Sequence, residues 1–260
     1  MNNQDFKEII NSLGVDQFLL PVGLRGADGV VHRVVTMKPM TGRTEEILAD
    51  PKLKENPMRA IIDVLVDVIV SIDGIPKVTR DVLRNLNNKD LEFLLVANYI
   101  TSFDDEYTFV SKHTSDGAMN EVIVNLKDLI SQAVYLDDAE STDLTLELPR
   151  GYRDREGNVH KEIVVAVPTA FTQEQVYKQT KVNPASAVTK MLLLCTKRLG
   201  TIQHINPDVF KDMTKKDRDF ILKNLNQFKA GVDLNIPIIC TGCGEEYTDS
   251  IPAVGLLGEM

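Results

Sequence analysis

Leu20-Pro21-Val22-Gly23-Leu24-Arg25 and Leu148-Pro149-Arg150-Gly151-Tyr152-Arg153 carry Leu, Pro, Gly and Arg at the same offsets, 128 positions apart. Working outward, Asp28-Gly29 with His32 answers to Glu156-Gly157 with His160 at that shift. Further on the shift becomes 127, as one deletion would produce. Asn56-Pro57 then matches Asn183-Pro184, and Lys89-Asp90 with Phe93 matches Lys216-Asp217 with Phe220. The last anchor sets His113-Thr114-Ser115-Asp116-Gly117 against Cys240-Thr241-Gly242-Cys243-Gly244. Anchors in one order at nearly one spacing predict a tandem duplication. The first repeat unit is expected over residues 1–134 and the second over 143–260, with an acidic linker at 135–142.

Each copy reads as the same α+β unit: an N-terminal β-hairpin, a helical core and a C-terminal knuckle-like hairpin. A polar turn at Ala27-Asp28-Gly29 before Val30-Val31 and Val34-Val35 signals the first hairpin. In the second copy Leu144, Leu146 and Leu148 alternate with polar residues, and residues 163–167 return. Thr41 or Thr44 ahead of Glu45-Glu46, and Thr172 ahead of Gln175, announce helices. Asn-Pro then opens a longer helix in each copy, because proline suits the first helical position. Ile61, Ile62, Leu65, Val66, Ile69 and Val70 form its apolar stripe; Val188, Met191, Leu192 and Cys195 are the counterpart, which makes Cys195 a core residue. Asp90 and Asp217 stand where a helix N-terminus favours a carboxylate. Tyr107–Val110 and Ile236–Ile239 lead into the two knuckles, and Val122-Ile123-Val124 returns from the first.

Composition narrows the function. A hydrophobic fraction of 43% can bury a core, yet no apolar run is long enough to cross a bilayer, and the N-terminus lacks a signal-peptide pattern. The net charge of −9 argues against nucleic acid, which rests on concentrated Lys and Arg, and the absence of Trp argues against base stacking. Three cysteines cannot form a full disulfide set, which fits a reducing compartment. No phosphate-cradling glycine loop, H-E-x-x-H or G-x-S-x-G occurs, so no enzyme activity and no small-molecule substrate are expected. His32 and His160 occupy equivalent hairpin positions and read as structural; His204 reads as a solvated loop residue.

Metal chemistry remains. A C-x-x-C-G knuckle turns two thiolates towards one point, and zinc takes four such ligands. Only Cys240 and Cys243 supply one here; the first copy holds His113 and Asp116 at the two cysteine positions, and both residue types are zinc ligands. If the knuckles face one another, a single structural zinc site of Cys240, Cys243, His113 and Asp116 follows. The bland alternative is a first knuckle decayed to a plain turn, with the cysteines a vestigial pair. A thioredoxin-like redox role fits less well, since the pair lies between strands and not at a helix start.

One further stretch carries a resemblance. Met37-Lys38-Pro39-Met40-Thr41-Gly42-Arg43-Thr44-Glu45-Glu46 resembles the basic, Pro-Met-Thr-Gly-Arg and Glu-Glu stretch of T4-type phage baseplate hub and tail assembly proteins. Residues 81–86 and 89–95 are similar to the helical stretch that follows in that family, whose members often end the unit with a C-x-x-C-G knuckle. The second copy departs from it, with Val167-Pro168-Thr169-Ala170 in place of the Pro-Met-Thr-Gly signature. The resemblance implies a non-enzymatic baseplate hub subunit or hub assembly protein, whose partners are other phage tail or baseplate proteins. It also implies the host cytoplasm during assembly, and the virion tail if the protein is retained. Two alternatives stand beside it: a tail assembly chaperone binding the tape measure, and a zinc-ribbon nucleic-acid module, which the acidic balance disfavours.

Overall fold

Val- and Ile-rich strands bounded by Gly turns, alternating with capped apolar helices, build a mixed α and β architecture with four small antiparallel sheets among the described residues. The computed structural model describes residues 3–26, 29–51 and 56–258. Ala27 and Asp28 of the expected first turn lie outside them. By contact the chain divides into two compact units.

The first unit holds Met1–Leu83, Lys89–Asp137 and Ala230–Met260. It begins with α1 (Asn3–Ser12) and a sheet in which β1 (Gln17–Arg25), β2 (Val31–Met37) and later β3 (Ile69–Ile72) are antiparallel neighbours in that order. Between β2 and β3 lie α2 (Gly42–Ala49) and α3 (Pro57–Val68). Thr41 caps α2, its amide donating to Thr44 Oγ1 at 3.1 Å. Asn56 stands at the N-cap of α3 with proline at its first position, as the Asn-Pro pair predicts. The apolar stripe buries Ile61, Ile62 and Leu65, but the helix stops at Val68. Ile69 and Val70, expected on the stripe, fall in β3, where strand alternation turns Val70 outward. After α4 (Arg80–Arg84) and α5 (Asn88–Ser102), β4 (Glu106–Lys112) pairs with β5 (Met119–Asn125), followed by α6 (Leu126–Ser131).

The second unit, Arg84–Asn88 with Asp138–Lys229, repeats the order of elements from β1 to α5. Its sheet runs β6 (Asp143–Arg153), β7 (Val159–Ala166), β8 (Thr196–Leu199), again antiparallel. Helix α7 (Ala170–Val182) starts three residues earlier than expected: Thr169 is the cap, its hydroxyl accepting from the Thr172 amide. Helix α8 (Pro184–Cys195) follows, capped by the Asn183 side chain, which accepts from the Ser186 amide at 3.1 Å. Two further helices, α9 (Pro207–Asp212) and α10 (Lys215–Asn226), close over a core of Leu148, Ile163, Leu192, Phe210, Ile221 and their neighbours. Cys195 is buried as its helical spacing predicts, and burial pushes its thiol up to about 11 against a hydrogen bond with Thr172.

The chain then returns to the first unit as β9 (Asn235–Ile239) paired with β10 (Glu246–Ser250), ending in a 3-10 turn at Gly255–Leu257. Residues 230–260, which the repeat alignment counts in the second copy, therefore sit by contact in the first unit. The chain passes from the first unit to the second between Asp137 and Asp138 and returns between Lys229 and Ala230.

Two recurring devices pin each three-stranded sheet. The β1–β2 pairing slips between Leu19 and Leu24, and the β6–β7 pairing between Glu147 and Tyr152, with Gly23 and Gly151 both at φ +80° in the slipped stretch. Asp90 is fully buried and accepts from the Val22 and Gly23 amides of that bulge at 2.8 and 2.9 Å; Asp217 accepts from the Arg150 amide at 2.8 Å. The aspartates thus do more than favour a helix start: they satisfy amides that the slipped ladder leaves unpaired. Burial pushes Asp90 up to about 7, against the pull of those amides and of Arg33. The second device is a histidine over a glycine. A Cβ on Gly74 would lie 2.4 Å from the His32 ring, and one on Gly200 would lie 2.6 Å from the His160 ring. His160 also meets Asp154 at 2.9 Å. His204 is exposed.

Candidate metal centre

The two knuckles share one backbone frame. His113 N–H donates to the Ala118 carbonyl and Gly117 N–H to the His113 carbonyl, each at 2.9 Å. Cys240 N–H donates to Glu245 O and Gly244 N–H to Cys240 O at the same distance. Gly117 and Gly244 close the turns at φ +75° and +77°, where a side chain would be strained. Each turn tips a β-hairpin, β4–β5 and β9–β10, and both hairpins belong to the first unit.

All four expected residues meet there. The ligand atoms of His113, Asp116, Cys240 and Cys243 lie within 4.8 Å of one another. His113 Nδ1 is 3.4 Å from Cys243 Sγ and 3.2 Å from Asp116 Oδ1, and Cys240 Sγ is 3.4 Å from Asp116 Oδ2. A tetrahedral zinc with bonds of about 2.0–2.3 Å needs donors roughly 3.3–3.8 Å apart. Two soft sulfurs, one imidazole nitrogen and one carboxylate oxygen at these spacings form a group that could hold such an ion. His113 and Cys240 are buried while Asp116 and Cys243 are exposed, so the group opens to solvent on one side.

The surroundings favour anionic ligands unequally. The Cys243 amide, with that of Gly242, holds the Cys240 thiol below its usual range despite desolvation. The Glu245 amide favours the Cys243 thiolate, but burial, the Cys240 sulfur and the Asp116 carboxylate outweigh it and push that thiol up. The Ala118 amide holds the Asp116 carboxyl below the usual carboxylate range. Packing the Cys243 and Asp116 charges together without a cation is unfavourable, and a divalent ion would reverse that sign.

Residues that pattern reading missed hold the candidate ligands in place. Asn120 is buried; its Oδ1 accepts from the Thr241 amide at 2.8 Å and hydroxyl at 2.9 Å, and its Nδ2 donates to Tyr247 Oη at 3.1 Å and faces Cys240 Sγ at 3.8 Å. The Tyr247 ring stacks on His113, centroids 4.5 Å apart, and its hydroxyl donates to Ser111. Asn120 and Tyr247 are themselves 127 positions apart, so the repeat register was the signal that could have found them. Gly242 is needed for closeness: a Cβ there would stand 2.6 Å from Asp116 Oδ2.

Among the described residues no helix is long and apolar enough to cross a membrane. Searches of curated proteins and of solved structures returned no significant match. A family model described as T4 bacteriophage base plate protein matches residues 26–253, from the first hairpin through β10 and both knuckles. Since that match covers most of the chain, the protein belongs to the T4 bacteriophage base plate protein family.

Proposed function

We propose that the chain is a non-enzymatic baseplate hub subunit or hub assembly protein that acts through protein–protein contacts. The observation that carries this reading is the family match over residues 26–253. The shared order of elements in the two units supports the further reading that the chain arose by duplication, its copies retaining one scaffold. In this reading His113, Asp116, Cys240 and Cys243 hold one structural zinc. The ion would supply cross-linking rather than chemistry, tying the turn after residue 239 to the turn after residue 112 within the first unit. The close spacing of the four donor atoms supports zinc here, and Asn120 and Tyr247 supply the outer support that ligands need.

The deciding experiment follows a tagged copy in infected cells and compares its complexes with the mature particle. Co-purification with baseplate proteins and presence in the particle identify a hub subunit. Co-purification with tail precursors but absence from the particle identifies an assembly chaperone. Recovery with neither would defeat the reading.

A further inference from the structure

We propose that the second unit binds an acidic peptide segment of a baseplate partner in the groove between α7, α8, α9 and α10; this rests on the protein–protein reading above and deepens it. The groove has a volume of about 580 Å³, and among the described residues lining it none is Asp or Glu. Three cations line it instead: Lys190 from α8, Lys211 from α9 and Arg218 from α10. In a chain of net charge −9 that concentration stands out.

The state of those cations is the main support. Lys190 Nζ donates to the Gln175 carbonyl at 2.7 Å. Arg218 Nη2 donates to the Ala185 carbonyl and Thr189 hydroxyl at 3.4 and 3.2 Å. Both side chains are half-buried, and among the described residues neither meets a carboxylate. They are steered by neutral acceptors and keep their charge uncompensated. Lys211 contributes less, since it pairs with exposed Asp208 at 2.8 Å. Half-buried cations attract a carboxylate more strongly than fully solvated ones, and a guanidinium matches a carboxylate with two parallel hydrogen bonds.

The walls choose among anions. Leu193 and Pro207 give the groove an apolar surface, which suits a peptide with apolar residues between its carboxylates and does nothing for a free phosphate. The start of α8 is also a poor phosphate cradle, because its Ser186 amide is already taken by Asn183. Two uncompensated cations are too few to track a nucleic-acid backbone.

The test uses the full chain and a fluorescein-labelled octapeptide of alternating leucine and glutamate, followed by anisotropy at low ionic strength. Saturable binding is expected, weakened about tenfold in Lys190→Gln and in Arg218→Gln and unchanged in Lys197→Gln, a surface residue outside the groove. Arg218 also braces α8, so melting curves accompany each variant, and Lys190→Gln carries the test if Arg218→Gln unfolds. The same octapeptide with glutamine for glutamate is expected not to bind. Absence of binding, or equal binding by Lys190→Gln, overturns the proposal. So does displacement by inorganic phosphate or single-stranded DNA at concentrations where the glutamate peptide cannot compete. Recovery of baseplate proteins with Lys190→Gln is scored separately. Full recovery with no peptide binding would leave the baseplate reading standing and sink the groove, whereas failure of the wild type to recover them would sink the baseplate reading itself.

Discussion

The two knuckles have the same backbone hydrogen bonds and the same left-handed glycine, yet one presents His113 and Asp116 where the other presents Cys240 and Cys243. The turn is therefore a property of the backbone, and the thiols are not needed to make it. The candidate ligands differ over a constant frame, so metal affinity and hairpin stability should separate experimentally.

The largest expected effect comes from removing the half that still has its sulfurs. Cys240→Ser with Cys243→Ser should take bound zinc from one ion per chain to none and lower the melting temperature by roughly 5–15 °C, read by elemental analysis and calorimetry. A double variant that melts like the wild type would mean that the turns hold together without metal.

A second contrast lies in the bulge clamps. Asp90 titrates near 7 when folded and near 3.8 when unfolded, so the folded state binds the extra proton between those values. Its contribution is fully present below about pH 4 and is lost as the pH rises through about 7, amounting to a few kcal/mol, on the order of what a shift of this size implies. Denaturant midpoints between pH 4 and 8 should fall with pH, and Asp90→Asn should flatten that slope. An unchanged slope would place the titration elsewhere.

Smaller effects sharpen the knuckle comparison. Asp116→Cys, which moves the first turn towards the second, should tighten zinc by about tenfold in a chelator competition, because a three-cysteine, one-histidine set is a common structural site. His113→Ala should lose the ion; full metal content in that variant would remove His113 from the ligand set. Smallest of all, Gly117→Ala and Gly244→Ala should each cost about 1 kcal/mol from their positive φ, since neither Cβ would meet crowding. Unequal costs, measured by urea unfolding, would show that the two frames differ after all.

Much of this architecture was legible because the sequence matches itself at a nearly constant register. The Asn-Pro helix starts, the hairpins around the Leu-Pro-x-Gly entries and the four candidate ligands could all be placed by pairing positions 127 or 128 apart. Misplacements came where local signals compete. The apolar run at residues 61–70 has helical spacing throughout, but its last residues pair with β2, and only the neighbouring strand could end the helix at Val68. At Thr169 and Thr172 two caps stand three residues apart, and propensity alone does not choose between them.

The sequence by itself determined the α+β class, the order of elements and which side chains could ligate a metal, because hydrophobic period, caps and turn residues act over a few positions. Tertiary structure alone decided that residues 230–260 pack in the first unit, that Asp90 reaches the β1 bulge, and that His113 and Cys240 come together across 127 positions. Such contacts are selected by which buried surfaces fit and which amides still need a partner, and neither quantity exists until distant segments meet.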